Sequence, residues 1–194
     1  MSIATPRSGF GEVSRFAGRY FNLVDDDPIL AGDRDGFRVL VDREAATLVR
    51  ACYRILGDRH EAEDAAQEAF VIAYRSLASW RGEGTFGAWV GRIAIRLALR
   101  QAGRRRTVGW ADPVGDAEGR ARGAALDPAS LALRAERSSD LRAAVARLDE
   151  PYRETVALRF FAERSLAEIA AATGRPVGTV KTHLHRGLLR LRTS

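Results

Sequence analysis

Residues 165–192 read SLAEIAAATGRPVGTVKTHLHRGLLRLR. Ser165 followed by Glu168 is the S-x-x-E pattern of a capping box, in which two free amides at a helix start are satisfied reciprocally. Leu166, Ile169 and Ala170 follow at helical spacing. Gly174 is able to take the positive φ that stops a helix. Pro176 suits the first turn of a second helix, where its missing N–H costs nothing. There Val180, Leu184, Leu188 and Leu191 step by four, four and three, which predicts one shared buried face. Lys181, Thr182, His185 and Arg186 lie off that face, and Arg190 and Arg192 extend the positive charge. A short capped helix, a glycine turn and a basic second helix describe a helix-turn-helix with its second helix in the major groove. An αα-hairpin with a solvated basic face is the plainer alternative on these residues alone, and the rest of the chain weighs against it.

The chain has 194 residues, 46% of them hydrophobic, and a net charge of +6. That is enough for one or two globular domains and favours an anionic partner. Lys181 is the only lysine, so the positive charge is nearly all arginine, the better bidentate ligand for phosphates and bases. Cys52 is the only cysteine, which rules out an internal disulfide and a cysteine-based zinc site. It falls in the apolar pattern Val49, Cys52, Tyr53, Leu56 and reads as core. The sequence has no apolar run of membrane-spanning length and no signal-peptide pattern, so the expected location is cytoplasmic.

Residues 1–32 read as a leader in which Phe16, Tyr20, Phe21, Leu23 and Val24 precede the breakers Asp25 to Pro28. From Asp33 the spacing of Phe37, Leu40, Val41, Ala45, Leu48, Val49, Cys52, Tyr53 and Leu56 predicts a helix that ends at Gly57 and Asp58. A second helix runs from about Glu61 to Leu77, with Ala62, Ala66, Ala69, Phe70, Ala73, Tyr74 and Leu77 inward. Residues 78–87, ASWRGEGTFG, read as a loop. A third helix follows from about Ala88 to Arg104, with Trp89, Val90, Ile93, Ala94 and Leu97 inward. Residues 107–130 carry Gly109, Pro113, Gly115, Gly119, Gly123 and Pro128 and read as a flexible linker. Helical patterning resumes at Leu131 and continues through Leu141, Val145 and Leu148. Pro151 opens a helix with Val156, Leu158, Phe160 and Phe161 as its apolar members. No stretch alternates as a strand does. The fold class is therefore all-α: two small helical domains, 33–106 and 131–194, joined by a linker.

Arg92, Arg96, Arg100 and Arg104 recur every four residues, and Arg105 and Arg106 close the run. Residues four apart are helix-surface neighbours, so like charges there repel unless a partner is present. A polyanion supplies that partner. Trp80, Phe86 and Trp89 stand just before the stripe. Rings that stack on unpaired bases beside arginines that hold phosphates are what single-stranded DNA binding needs. Packing over the small domain's core is the plainer role for these rings, above all for Trp89. The second helix is acidic instead, through Asp58, Glu61, Glu63, Asp64 and Glu68. The helix dipole accounts for Glu61 and Glu63. Asp64, Gln67 and Glu68 lie further in and suit a basic protein surface. No phosphate-binding loop, catalytic Cys/His pair or paired buried carboxylates occur, so neither enzyme activity nor a cofactor is expected. His183 and His185, two apart, point in different directions and make a poor metal pair, and His60 reads as part of a turn.

With these residues in view, the chain resembles the bacterial RNA polymerase sigma factors of the sigma-70 family, of the extracytoplasmic-function (ECF, group IV) type. GDRHEAEDAAQEAFVIAYRSL (57–77) is similar to the family's core-binding segment, with D-x-x-Q-E its most specific part. The resemblance implies that Asp64, Gln67 and Glu68 dock on the β′ clamp helices of core polymerase. WRGEGTFGAWVGRIA (80–94) resembles the loop and helix that melt and read the −10 element. That implies a base-capturing loop around Trp80, Arg81, Phe86 and Trp89, with DNA contacts from Arg92, Arg96 and Arg100. LDEPYRETVALRFFAERSLAEIAAATGRPVGTVKTHLHRGLLRLR (148–192) is similar to the −35-binding domain, with its G-T-V-K-[ST] core at Gly178 to Thr182. By that match Thr179, Lys181, Thr182, His185 and Arg186 face the −35 bases. The implied partners are core polymerase (β′ clamp helices and β flap), promoter DNA and an anti-sigma factor that covers the same surfaces.

Two departures stand out. Arg96 replaces the usual asparagine of R-I-A-x-N, and Leu148-Asp149 replaces L-P, with proline delayed to Pro151. A free linker of ~24 residues averages ~25–29 Å between its ends, although it extends to about 80 Å. The free chain is thus expected to be compact or flexible, with core polymerase holding its domains apart. The rival is a helix-turn-helix regulator that acts on duplex DNA without polymerase. It needs neither the acidic face nor the Trp80 loop. An adaptor or anti-sigma protein that grips polymerase by the acidic face leaves two DNA surfaces unexplained.

Overall fold

The computed structural model of the chain describes residues 34–77, 80, 84–108 and 128–193. Among them are seven helices and no strand: α1 (Arg34–Leu56), α2 (Arg59–Arg75), α3 (Phe86–Val108), α4 (Pro128–Arg147), α5 (Tyr152–Phe160), α6 (Leu166–Thr173) and α7 (Val177–Arg192). The leader at 1–32, residues 109–127 of the linker and Arg81 lie outside the described residues. The rest of the expected linker is helical, since α3 runs to Val108 and α4 starts at Pro128.

The chain divides into two compact units, Met1–Ala46 and Thr47–Ser194, with the boundary inside α1. The described part of the first unit is the start of α1. There Phe37, Val41 and Ala45 are buried four residues apart, Val39 is exposed, and Arg43 pairs with Glu44 at 2.9 Å.

In the second unit α1 continues with Leu48, Ala51, Cys52, Ile55 and Leu56 buried. Burial pushes the Cys52 thiol up to about 12, as expected of an inert core cysteine. Gly57 takes φ 75 to end the helix, and Asp58 caps α2 by accepting the Glu61 amide at 2.9 Å. The first turn of α2 already contains His60, which is helical rather than in a turn. The buried face of α2 is mostly alanine (Ala62, Ala65, Ala66, Ala69, Ala73), with Phe70 and Tyr74. Small side chains there let α3 lie close.

α3 has apolar residues buried on more than one side: Phe86, Ala88, Val90, Ala94, Ile95, Leu97, Ala98 and Leu99. The sequence pattern gave it a single inward side through Trp89, Val90, Ile93, Ala94 and Leu97. Trp89 and Ile93 are only half-buried, and Ile95 and Leu99 are buried as well. The reason is that α2 is not its only neighbour: α5 and α6 pack against it too.

In the C-terminal part, α4 buries Val145, with Leu148 beyond it, but leaves Leu141 exposed. α5 buries Val156, Ala157 and Leu158, and Phe161 follows them inward. Phe160, expected inside, is exposed. Successive residues are turned by ~100° at 3.6 per turn, so the two phenylalanines do not share one face. α7 buries Val180 and Gly187, whereas Leu188, also expected inside, is exposed. Its inner stripe is therefore Val180, Leu184, Gly187 and Leu191. The cause is a close helix crossing: a Cβ at Gly187 would lie 2.7 Å from Val156 Cγ2 and 3.4 Å from Tyr152 Cβ.

This crossing sets two effects against each other in Gly187→Ala. Helix propensity gains ~1 kcal/mol. Overpacking against a stiff, fully buried valine costs ~1–3 kcal/mol. The variant is expected to lose about 1 kcal/mol net, read as a lower urea midpoint. A raised midpoint would show that α5 and α7 do not pack this tightly.

Candidate nucleic-acid interface

The hairpin is built as its sequence demands. Ser165 Oγ accepts the Glu168 amide at 3.2 Å, and Ser165 N donates to Glu168 Oε2 at 2.9 Å, closing the capping box. Burial raises the Glu168 carboxyl, but the Ser165 hydrogen bonds and the Arg164 charge outweigh it and leave it below the usual carboxylate range. Gly174 sits at φ 66, and the Arg175 amide donates back to Ala170 O at 3.1 Å. Pro176 precedes α7 as its N-cap rather than lying in its first turn.

Lys181, Thr182, His185 and Arg186 are all exposed on α7, and Thr179 is half-buried beside them. The Thr182 hydroxyl donates to Gly178 O of its own helix at 3.0 Å. His183 turns inward, edge-on to the Tyr152 ring with centroids 5.7 Å apart. Arg190 lies over the same ring at 4.1 Å. Burial, then the charges of Arg175 and Arg186, hold the His183 imidazole below its ordinary value of 6.5. Among the described residues no cluster of His, Cys, Asp and Glu is placed to hold a metal ion.

The three rings before α3 pack on one another. Trp80 stacks on Trp89 at 6.0 Å and 21°, and meets Phe86 edge-on at 5.6 Å. Trp80 and Trp89 are half-buried, whereas Phe86 is only 2% exposed. Phe86 thus supports the two indoles and is not itself a surface for bases in this arrangement.

The arginine stripe is divided. Arg100 and Arg104 are exposed. Arg105 pairs with Glu61 of α2 and donates to Leu56 O at 3.3 Å. Arg92 and Arg96 reach Glu154 of α5, at 2.8 Å and 3.4 Å. Glu154 is 3% exposed and is also met by Arg175 at 3.3 Å. Arg92 further donates to Ala172 O of α6 at 2.9 Å. Further along the same contact, Arg54 of α1 donates to Phe161 O at 2.9 Å and pairs with Glu163 at 2.7 Å, gripping the turn where Glu163 takes φ 56.

The acidic face narrows in the same way. Asp58 is a helix cap, Glu61 is paired with Arg105, and Glu63 pairs with Arg59 at 2.9 Å. Asp64 and Glu68 are exposed and, among the described residues, take part in no ion pair; Gln67 is half-buried between them. Sequence reasoning missed Glu154, Arg175 and Arg54. A signal for Glu154 exists: it precedes Leu158 by four and Phe161 by seven, so it shares their inward face. A carboxylate there needs cations.

The described helices thus carry an exposed basic face on α7, rings and arginines on and just before α3, and an exposed acidic pair on α2. The Sigma-70 region 2 family matches residues 40–108, and the family Sigma-70, region 4 matches residues 138–191. The chain is 36% identical over 169 residues to ECF RNA polymerase sigma factor SigW of Bacillus subtilis (strain 168), covering 83% of this chain and 89% of that protein. It is 36% identical over 165 residues to the ECF RNA polymerase sigma-E factor of Escherichia coli (strain K12), covering 80% and 84%. The fold is shared with CnrH, solved in complex with the cytosolic domain of CnrY, at a TM-score of 0.55 and 20% identity over 93% of this chain and 92% of that one. The chain belongs to the ECF RNA polymerase sigma factors of the sigma-70 family. It is a transcription initiation factor, and the rival reading as a regulator that works without polymerase is set aside.

The depressed His183 value fixes a sign for acid. The unfolded chain takes up a proton below 6.5 that the folded chain refuses. The stability held by neutral His183 is therefore present above 6.5 and lost as pH falls through the folded value. Thermal melts at about pH 7.5 and about pH 5.5 should show a drop that shrinks in His183→Phe. An equal drop in both proteins would contradict the assignment.

Proposed function

We propose that Asp64, Gln67 and Glu68 dock the chain on the β′ clamp helices of core polymerase. Trp80, Arg81, Trp89, Arg92, Arg96 and Arg100 then meet the −10 element, and Thr179, Lys181, Thr182, His185 and Arg186 the −35 element. The observation that carries this reading is one exposed acidic pair, Asp64 and Glu68, in a chain with two separate basic elements. A duplex-only binder has no use for the acidic pair. The protein catalyses no reaction itself; it directs the polymerase's own chemistry to a promoter and helps open the duplex. It works in the cytoplasm, where polymerase is, with the β flap as a second contact and an anti-sigma factor as a regulator over the same surfaces. No helix among the described residues is long and apolar enough to cross a membrane. Arg96, where the family pattern has asparagine, favours phosphate contact over base reading.

Run-off transcription on genomic promoters with purified core tests this. Wild type should direct specific transcripts. Asp64→Lys with Glu68→Lys should lose core binding and transcription while binding of −35 duplex by the free chain is unchanged. Lys181→Ala with Arg186→Ala should keep core binding and lose −35-dependent initiation by roughly tenfold or more, as base and phosphate contacts worth ~1–3 kcal/mol each are removed. Retained core binding in the charge-reversed protein would refute the docking role.

A further inference from the structure

The two leading arginines of the α3 stripe are already occupied. Arg92 Nε lies 2.8 Å and Arg96 Nε 3.4 Å from Glu154 Oε1. Their side chains differ in cover: Arg92 is 25% exposed and Arg96 60%. The carboxylate thus stands where a phosphate oxygen would stand between two guanidinium groups. Its other oxygen is 3.3 Å from Arg175, at the turn before α7. α6, which packs beside the α5 helix that supplies Glu154, also covers the loop that leads into α3. A Cβ on Gly84 would lie 2.7 Å from the Ala171 Cβ of α6, and Thr85 Oγ1 approaches Glu168 Oε1 at 3.5 Å.

One carboxylate faces three guanidinium groups, leaving the cluster with excess positive charge. A permanent structural bridge has no need of that surplus. A DNA strand, with phosphates at regular spacing, neutralises Arg92 and Arg96 more fully than a single glutamate and releases counterions as it does so.

We propose that Glu154 is an autoinhibitory latch: its carboxylate occupies Arg92 and Arg96 in place of a DNA phosphate and holds the helix-turn-helix against α3. The latch releases when core polymerase separates the helix-turn-helix from α3 or when a nucleic-acid strand displaces the carboxylate. This rests on reading Arg92 and Arg96 as −10-facing. The free chain is therefore a poor binder of single-stranded DNA because its binding-competent form is a minor population, and removing the latch raises apparent affinity in proportion to that population.

The test is binding of a fluorescein-labelled single-stranded DNA 20-mer of mixed sequence by the full chain without core, alongside small-angle scattering and helix content by circular dichroism. Glu154→Gln keeps the shape and removes the charge. Ala171→Met leaves every charge in place and wedges α6 away from Gly84, with a residue that helices accept. Both variants should keep wild-type helix content, show a larger radius of gyration and bind the 20-mer roughly tenfold tighter. Adding Arg92→Ala to Glu154→Gln should remove the gain while the chain stays open. If Glu154→Gln does not fold, Ala171→Met alone decides. A folded Glu154→Gln chain, or in its absence Ala171→Met, that stays as compact as wild type or binds DNA no more tightly overturns the latch. Opening and tighter binding that persist with Arg92→Ala would keep the latch and refute the DNA role of Arg92.

Discussion

The carboxylate of Glu154 is the point on which the packing of α5, the helix-turn-helix and α3 turns. Burying a carboxylate costs several kcal/mol unless cations and hydrogen bonds replace its water. Here the replacements come from both sides: Arg92 and Arg96 from α3, Arg175 from the turn before α7. One group therefore orders the helix-turn-helix internally and ties it to α3. Its helix, α5, is also the floor on which α7 lies, through Val156 against Gly187. The exposed basic face of α7 and the contact with α3 thus share α5 as a support.

On the proposed assignments, this geometry treats the two DNA-reading surfaces differently. Lys181, Thr182, His185 and Arg186 are exposed on α7, and the bond that Thr182 makes, to Gly178 O, stays within its own helix. On α3, Arg100 and Arg104 are open, whereas Arg92 and Arg96 are held and the rings of Trp80 and Trp89 are spent on each other. The acidic pair Asp64 and Glu68 stays exposed on α2. Docking on polymerase through that pair does not require the closed contact to open first.

What was legible in the sequence was what is local. Ser165 with Glu168, Gly174 after eight helical residues, and Asp58 before Glu61 each specify a helix end through bonds between near neighbours. The alanine face of α2 and the exposed basic face of α7 follow from periodicity alone. The misses on α3 come from partners far apart in the chain. Ile95 and Leu99 are buried because α5 and α6 cover α3, and Arg92 meets a glutamate 62 residues away. Leu188 looked interior because leucine is apolar. Gly187 has no side chain to mark an apolar stripe, yet the missing side chain is what brings α5 and α7 together. Phe86 kept the aromatic pattern expected of a base-binding loop, but its burial makes it a support for the indoles.

The central claim is that the free chain rests in the closed form and that core polymerase opens it. The most direct measurement is the distance between dyes on Arg75→Cys and Thr193→Cys, both exposed sites, by energy transfer in single molecules. Cys52, buried with its thiol raised to about 12, does not compete for label. The account predicts one short-distance population in the free chain and a shift to a longer distance on addition of core polymerase. A free chain already at the long distance, or a short distance unchanged by core, would contradict it.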